Sequence, residues 1–339
     1  MMRKGLREFM SHSGAPAAGV LVLERDGLVD SAVAGTVHRD SPHVVELDDV
    51  WHLGSCTKSI TALLVGCLVE RGDVGWEQSV GTLFEDLHPH PGWHEVTLTD
   101  LLLCRGGVPP NPAPTEMRKL WADASPLQTQ RTVRATKILA AAPSGPGEFS
   151  YSNLSYTLVG AVIDRVSGQD YEKVLSELVL DPLGITSAGF GPPERIHGHA
   201  PKIQIGRFFK GPGSPMSPTS SRSDNPTLLN PAGRLHLTLA DWATVVQVFL
   251  NAGQPLVHKD TFDQLTTLAS PDTMAMGWGN GSLLGGSLAM QGSNRMWSAT
   301  ALLDESFEAA VLVVANDGRD SVLDLSAQFA GALLNEHRS

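Results

Sequence analysis

Strand-like runs near both ends of the chain constrain its fold more than any other feature. The segment "AAGVLVLERDGLVDSAVAGTVHRD" (17–40) has two apolar, β-branched runs flanking Arg25-Asp26-Gly27, a pattern typical of a β-hairpin. Further strand-like runs lie near the other end, in 286–294, 296–305 and 308–317. We therefore predict one antiparallel sheet built from both termini.

The middle of the chain has helical rather than strand spacing. Gly/Pro loops such as 144–155 separate these segments, and we find no internal repeat. The predicted helices span 56–71, 132–142, 154–167, 171–180, 237–253 (with Thr238 as cap) and 321–337.

These patterns predict an α/β (α+β) fold in which helices flank the sheet and a mostly helical region is inserted. We assign 1–53 and 232–339 to the sheet domain and 54–231 to the helical domain. Within the latter, 209–226 is rich in Gly, Pro and Ser, and we expect a loop too polar to pack. It is a candidate lid.

Composition limits the possible partners. The 339 residues are 42% hydrophobic and 18% charged, which fits a globular protein. A net charge of −11 without a basic stripe argues against binding nucleic acid.

The N-terminal segment lacks the roughly 7–15 apolar residues of a secretory signal, and no window reaches the roughly 18–20 of a membrane span. Three cysteines, Cys56, Cys67 and Cys104, fit neither a disulfide framework nor a metal site. We predict a cytoplasmic protein with reduced thiols, without cofactor, metal or membrane contact.

The stretch "LGSCTKSI" (53–60) places Ser55 and Lys58 one helical turn apart, just before a long apolar run. A serine hydroxyl becomes nucleophilic when a neighbouring base takes its proton. Burial and a helix N-terminus both favour the neutral lysine that can act as this base. The alternative is a helix-capping serine followed by a surface lysine.

The surroundings, "VWHLGSCTKSITALLVGCLVERGDVGWEQSV", resemble the serine β-lactamase and penicillin-binding protein family around its nucleophile. Similar landmarks follow in the expected order over nearly the whole chain. They lie at 96–109, 146–185 (with Tyr151-Ser152-Asn153 as the Y-x-N motif), 230–246 and 276–279. The resemblance is greatest to class C β-lactamases, family VIII carboxylesterases and related acyltransferases.

This resemblance implies that Ser55 is acylated, that Lys58 is its proton partner, and that Tyr151 is a second base or proton relay. Asn153 would hold Lys58 and donate to a substrate carbonyl. The alternatives are that Tyr151 packs on Phe149 and that Asn153 forms an Asx turn capping the next helix.

The family's third motif, K-T-G or H-x-G, is matched here by Met290-Gln291-Gly292. Gly292 would let the strand approach the substrate, and the N–H of Ser293 would join that of Ser55 in an oxyanion hole. A thioether at position 290 cannot bind a substrate carboxylate. This departure favours a substrate without one, unless Arg295 or Arg234 supplies the charge.

Other residue types near these motifs have competing interpretations. Trp278 and Trp297 are either pocket walls that contact substrate or core residues. His52 and His236 either line the cleft or serve as core or cap histidines. Cys56 lies about 100° around the helix from Ser55, so we expect it to point elsewhere. The histidine-rich stretch 88–94 is expected to be an exposed loop rather than a metal site.

Three functions remain open at this stage. The first is an acyl-serine enzyme that passes the acyl group of a small ester or amide to water or to a nucleophilic acceptor, as in biosynthetic transacylation. The second is a β-lactamase or D,D-peptidase. The third is a non-catalytic binding protein on the same fold.

Overall fold

The computed structural model describes residues 2–201, 212–268, 270 and 273–338. The strands are β1 Ala17–Glu24, β2 Gly27–Gly35, β3 Val50–His52, β4 Gly189–Phe190, β5 Gly198–Pro201, β6 Pro212–Met216, β7 Leu235–Thr238, β8 Gly279–Asn280, β9 Leu288–Ser293, β10 Ser298–Leu303 and β11 Ala309–Ala315. The α-helices are α1 Met2–Ser13, α2 Thr57–Glu70, α3 Val80–Leu83, α4 Leu98–Leu102, α5 Pro114–Trp121, α6 Leu127–Leu139, α7 Asn153–Ser167, α8 Tyr171–Leu175, α9 Asn230–Gly233, α10 Leu239–Leu250, α11 Lys259–Thr266 and α12 Asp320–Arg338.

The main sheet joins the two ends of the chain. In the described part, six strands pair in the order β2-β1-β11-β10-β9-β8. The N-terminal hairpin meets the C-terminal strands where Val20 of β1 lies opposite Val313 of β11, in antiparallel register. The predicted antiparallel sheet built from both termini is therefore confirmed.

Helices cover both faces of this sheet. Alternate strand residues, such as Val20 and Val313, face α1 and α12, while Leu21 and Leu312 face the larger core on the other side. Our sequence analysis did not predict α1. Its apolar side chains are few, but they recur at helical spacing, and Phe9 is buried and stacks on Phe329 of α12 at 5.6 Å.

The inserted region is organised around α2, which is buried along residues 57–68. The predicted helices are confirmed within a few residues, with two differences in detail. The segment 171–180 changes from α-helix to a π-helical turn at Ser176–Leu180. The segment 237–253 opens at the end of β7, and Thr238 then caps α10 by accepting a hydrogen bond from Asp241 N.

The expectation that 209–226 does not pack is wrong for part of the segment. Residues 209–211 lie outside the described residues, while β6 pairs with β5. Ser223 and Asp224 are buried. A buried carboxylate is stable when enough hydrogen-bond donors surround it, and Asp224 has such donors.

No helix within the described ranges is long and apolar enough to cross a membrane.

Candidate active site

The strand β3 comes just before the N-terminus of α2 and fixes its position. It pairs with β7, where His52 lies opposite His236, and Leu53 N donates to Leu235 O at 2.9 Å. A 3-10 turn, Gly54–Cys56, then leads into α2. Ser55 lies in this turn, and Gly54 before it has φ +51°, a conformation that favours glycine. The hydroxyl of Ser55 caps neither helix and is available for chemistry.

Lys58 is fully buried and its ammonium nitrogen has three oxygen neighbours. Nζ lies 3.1 Å from Ser55 Oγ, 2.7 Å from Asn153 Oδ1 and 2.5 Å from Ala232 O. Two of these oxygens, those of Asn153 and Ala232, can only accept. The third belongs to a hydroxyl that can accept or donate, so Lys58 is placed to exchange a proton with Ser55.

Tyr151 completes the contacts of the serine hydroxyl. Its phenol lies 2.7 Å from Ser55 Oγ, and Lys58 Nζ is 4.9 Å from its ring centroid. The Tyr151 side chain is 40% exposed, in contrast to the fully buried Lys58. Tyr156 is different: burial raises its pKa well above the usual value, and its hydroxyl donates to Leu102 O.

In the Y-x-N motif, one residue caps α7 and the next binds Lys58. Ser152, not Asn153, caps α7 by accepting from Ser155 N at 2.9 Å. Asn153 is thus free to bind Lys58 through Oδ1, and its Nδ2 donates to Asn111 Oδ1 at 2.7 Å. Sequence reasoning missed Asn111, since an asparagine in the proline-rich segment "VPPNPAP" has no distinguishing pattern.

The third element passes directly against the turn that carries Ser55. An added Cβ on Gly292 would lie 2.0 Å from Leu53 O and 2.7 Å from Ser55 N, and one on Gly54 would lie 2.3 Å from Ser293 N. Only glycine fits at both positions. The backbone of Ser293 therefore lies beside that of Ser55.

Strand alternation corrects our assignment of Gln291 to substrate binding. Met290 and Gly292 face the core that contains α2, whereas Gln291 points to the opposite face of the sheet. Its Nε2 donates to Leu323 O of α12 at 2.7 Å. Met290 is buried.

The two tryptophans assigned to substrate binding are core residues instead. Trp278 is 1% exposed and packs edge-on against Phe249, and Trp297 is 0% exposed and stacks on His52 at 5.5 Å. Burial on this scale leaves no surface for a ligand. His236 also has a structural contact, because its Nδ1 donates to Gly191 O.

Two further candidates, Cys56 and Arg234, are excluded from direct chemistry by their contacts. The Cys56 thiol points to Met290 O, and burial raises its pKa above the usual value, so it stays protonated at neutral pH. The guanidinium of Arg234 donates to Asp224 and Asn230 inside the protein. Of the two arginines considered as a source of positive charge for a substrate carboxylate, Arg295 is the exposed one.

Within the described ranges, no three His, Cys, Asp or Glu side chains come together as metal ligands.

A serine at the start of a buried helix, beside a buried lysine and a tyrosine and next to a sheet flanked by helices, is an arrangement typical of a serine hydrolase. The Beta-lactamase family model matches residues 2–332, so the chain belongs to this family, whose members are serine hydrolases acting on small molecules. The family includes esterases, acyltransferases, amidases and β-lactamases.

Individual relatives are distant. The chain is 29% identical over 164 residues to unguisins hydrolase ungD of Aspergillus violaceofuscus, covering 46% of this chain and 28% of the relative. It is 27% identical over 189 residues to esterase EstB of Burkholderia gladioli, covering 52% and 48%. The chain thus spans less than half the length of either curated relative. A class C β-lactamase structure from Rhodobacter sphaeroides superposes with a TM-score of 0.77 at 19% identity, over 99% of both chains.

Proposed function

We propose that this chain is an acyl-serine esterase or transacylase that acts on a small ester or amide without a free carboxylate. The contact set of Lys58 supports the proposal most strongly. A neutral amine has two hydrogens and one lone pair. When Lys58 is protonated, Nζ donates to all three oxygens. When it is neutral, its two hydrogens bind Asn153 Oδ1 and Ala232 O and its lone pair faces Ser55 Oγ at 3.1 Å, so the same contacts accommodate both forms of the proposed base.

The first half-reaction follows from this placement. Ser55 Oγ attacks the carbonyl carbon while its proton passes to Lys58 or Tyr151. The negative charge on the carbonyl oxygen is stabilised by the N–H groups of Ser55 and Ser293. The bond to the leaving oxygen or nitrogen then breaks, and that atom takes the proton from Tyr151, the exposed member of the pair.

The second half-reaction reverses these roles. Water or an acceptor alcohol or amine loses its proton to the same groups and attacks the acyl carbon, and Ser55 recovers its proton as it leaves. The likeness to esterase EstB supports the hydrolytic form.

The proposed preference for a substrate without a free carboxylate is based on Met290. It is buried and carries no charge where the family has a lysine or histidine, so no cation on this strand faces a substrate carboxylate. This observation supports our proposal over a β-lactamase or D,D-peptidase, and Arg295, exposed just beyond the end of β9, is the alternative source of positive charge.

A two-substrate assay tests the proposal. Turnover of p-nitrophenyl acetate is expected, without hydrolysis of benzylpenicillin and without a lasting penicilloyl adduct in the intact mass. A penicillin rate above the ester rate would instead favour the β-lactamase alternative. No reaction with either compound would favour a non-catalytic protein.

Restoring a cation at position 290 is expected to change specificity. Met290→Lys should raise kcat/KM for the carboxylate-bearing cephalosporin nitrocefin by about 10- to 100-fold, since a charge-assisted hydrogen bond contributes about 1.5–3 kcal/mol. Ester turnover should change little. Met290→Leu is the matched control, because it alters shape without adding charge. Equal nitrocefin rates in all three proteins would show that this residue does not face the substrate.

A further inference from the structure

The carboxylate of Asp224 is buried beneath the proposed site and has none of the roles described above. Its Oδ2 accepts from His52 Nε2 at 2.9 Å and from Arg234 Nε at 3.1 Å. Its Oδ1 accepts from Asn294 Nδ2 at 2.8 Å and from Asn225 N at 2.7 Å. Four donors fix this side chain, which is only 6% exposed.

Two hydrogen bonds made by His52 connect Asp224 to Gly54, the residue before the proposed nucleophile. Gly54 N donates to His52 Nδ1 at 3.1 Å, so this ring nitrogen carries no proton. The proton of the imidazole is therefore on Nε2, where it is donated to Asp224. Trp297 stacks on the ring and holds its plane. The histidine thus fixes the residue immediately before Ser55.

A second pair of contacts leads from Asp224 to the third element. Asn294, which donates to Asp224, directly follows Ser293 at the end of β9. Its Oδ1 accepts from Met296 N at 3.1 Å and from Trp297 N at 3.2 Å, which fixes the turn between β9 and β10. The same carboxylate therefore joins the two segments that carry the proposed oxyanion donors.

We propose that Asp224 and His52 are positioning residues for the oxyanion hole, a role that rests on the proposed function. Asp224 selects the tautomer in which His52 Nδ1 accepts from Gly54 N, and through Asn294 it holds the strand end bearing Ser293. Neither side chain touches the substrate. Their contribution is to the placement of two N–H groups where charge develops in the transition state.

Conservative variants separate the acceptor role from simple packing. Asn at position 52 can place its amide oxygen where Nδ1 accepts from Gly54, whereas Gln places its amide nearer Nε2 and leaves Gly54 N without that acceptor. In Asp224→Asn the new NH₂ faces either His52 or Asn294. Two donors then face each other there, so the hydrogen bond to His52 or the one to Asn294 is lost.

The test combines kinetics with a transition-state analogue. For p-nitrophenyl acetate, kcat/KM should fall about 10- to 100-fold in Asp224→Asn and His52→Gln, and less than about 3-fold in His52→Asn, as small displacements of reacting groups cost about this much. Affinity for a boronic acid, which forms a tetrahedral adduct with serine, should fall in parallel. Equal losses in His52→Asn and His52→Gln, or no loss in His52→Gln and Asp224→Asn, would overturn the proposal.

Imidazole ¹⁵N spectra of the unmodified chain give a result that does not depend on variant folding. The expected signals of His52 are a protonated Nε2 and an unprotonated Nδ1, and the opposite tautomer would also overturn the proposal. Failure of the proposed function is distinguishable, since the unmodified chain would then turn over no ester while the tautomer remained measurable.

Discussion

Replacing Lys58 by methionine is expected to reduce ester turnover by about 10³-fold or more. General acid–base catalysis by a positioned group contributes about 10²- to 10⁴-fold, and this lysine also holds Asn153. Methionine retains most of the volume in the buried site but has no proton to exchange. The measurement is kcat/KM for p-nitrophenyl acetate, with circular dichroism to show that the variant is folded.

Two further variants make this result specific. Lys58→Arg keeps the charge but cannot become neutral, so it should be nearly as inactive as Lys58→Met. Lys4→Met makes the same substitution at an exposed lysine paired with Glu8 and should leave turnover unchanged. More than a tenth of normal activity in Lys58→Met would contradict the proton-transfer role.

Gly292→Ala should reduce kcat/KM by about 10²- to 10³-fold, the loss observed when one oxyanion donor is removed. The added methyl would meet Leu53 O at 2.0 Å and Ser55 N at 2.7 Å, and both of these are backbone atoms. The end of β9 must therefore move away from the turn at Ser55, and Ser293 N moves with it. We expect a lower melting temperature as well.

A glycine in open space provides the matched control. An added Cβ on Gly75 has no heavy atom within 4 Å, so Gly75→Ala should leave both activity and melting temperature nearly unchanged. Rates for Gly292→Ala are measured well below its melting temperature, so that loss of fold is not mistaken for loss of the oxyanion hole. Normal turnover in the folded variant would place the oxyanion donors elsewhere.

The parts of the site that sequence could predict are those set by local spacing or by a matched motif. Ser55 and Lys58 are three residues apart, so helical geometry alone brings their side chains together. Tyr151 is about 100 residues away, and only the family resemblance connected it to Ser55. The hairpin and the long helices were likewise predictable, because their apolar periodicity is strong.

The residues that sequence misplaced depend on tertiary orientation. Gln291 lies within the Met290-Gln291-Gly292 motif, but packing decides which face of β9 meets α2. Trp278 and Trp297 lie near the same motif in sequence, yet both are buried in the core.

Asp224 was not identified from the sequence, for a different reason. It lies in a segment whose average composition is that of a solvated loop, and its environment comes from His52, Arg234 and Asn294, all distant in sequence or on other elements. Burial opposes ionisation of this carboxyl, but the contacts from these three side chains outweigh it and hold its pKa below the usual value. No local pattern in the sequence indicates such a network.

The acylation of Ser55 is tested most directly by labelling with a fluorophosphonate, followed by intact-mass measurement and peptide mapping. We expect one adduct per chain, located on Ser55 and absent from Ser55→Ala. An unlabelled chain, or an adduct that persists in Ser55→Ala, would contradict the assignment of this serine as the nucleophile.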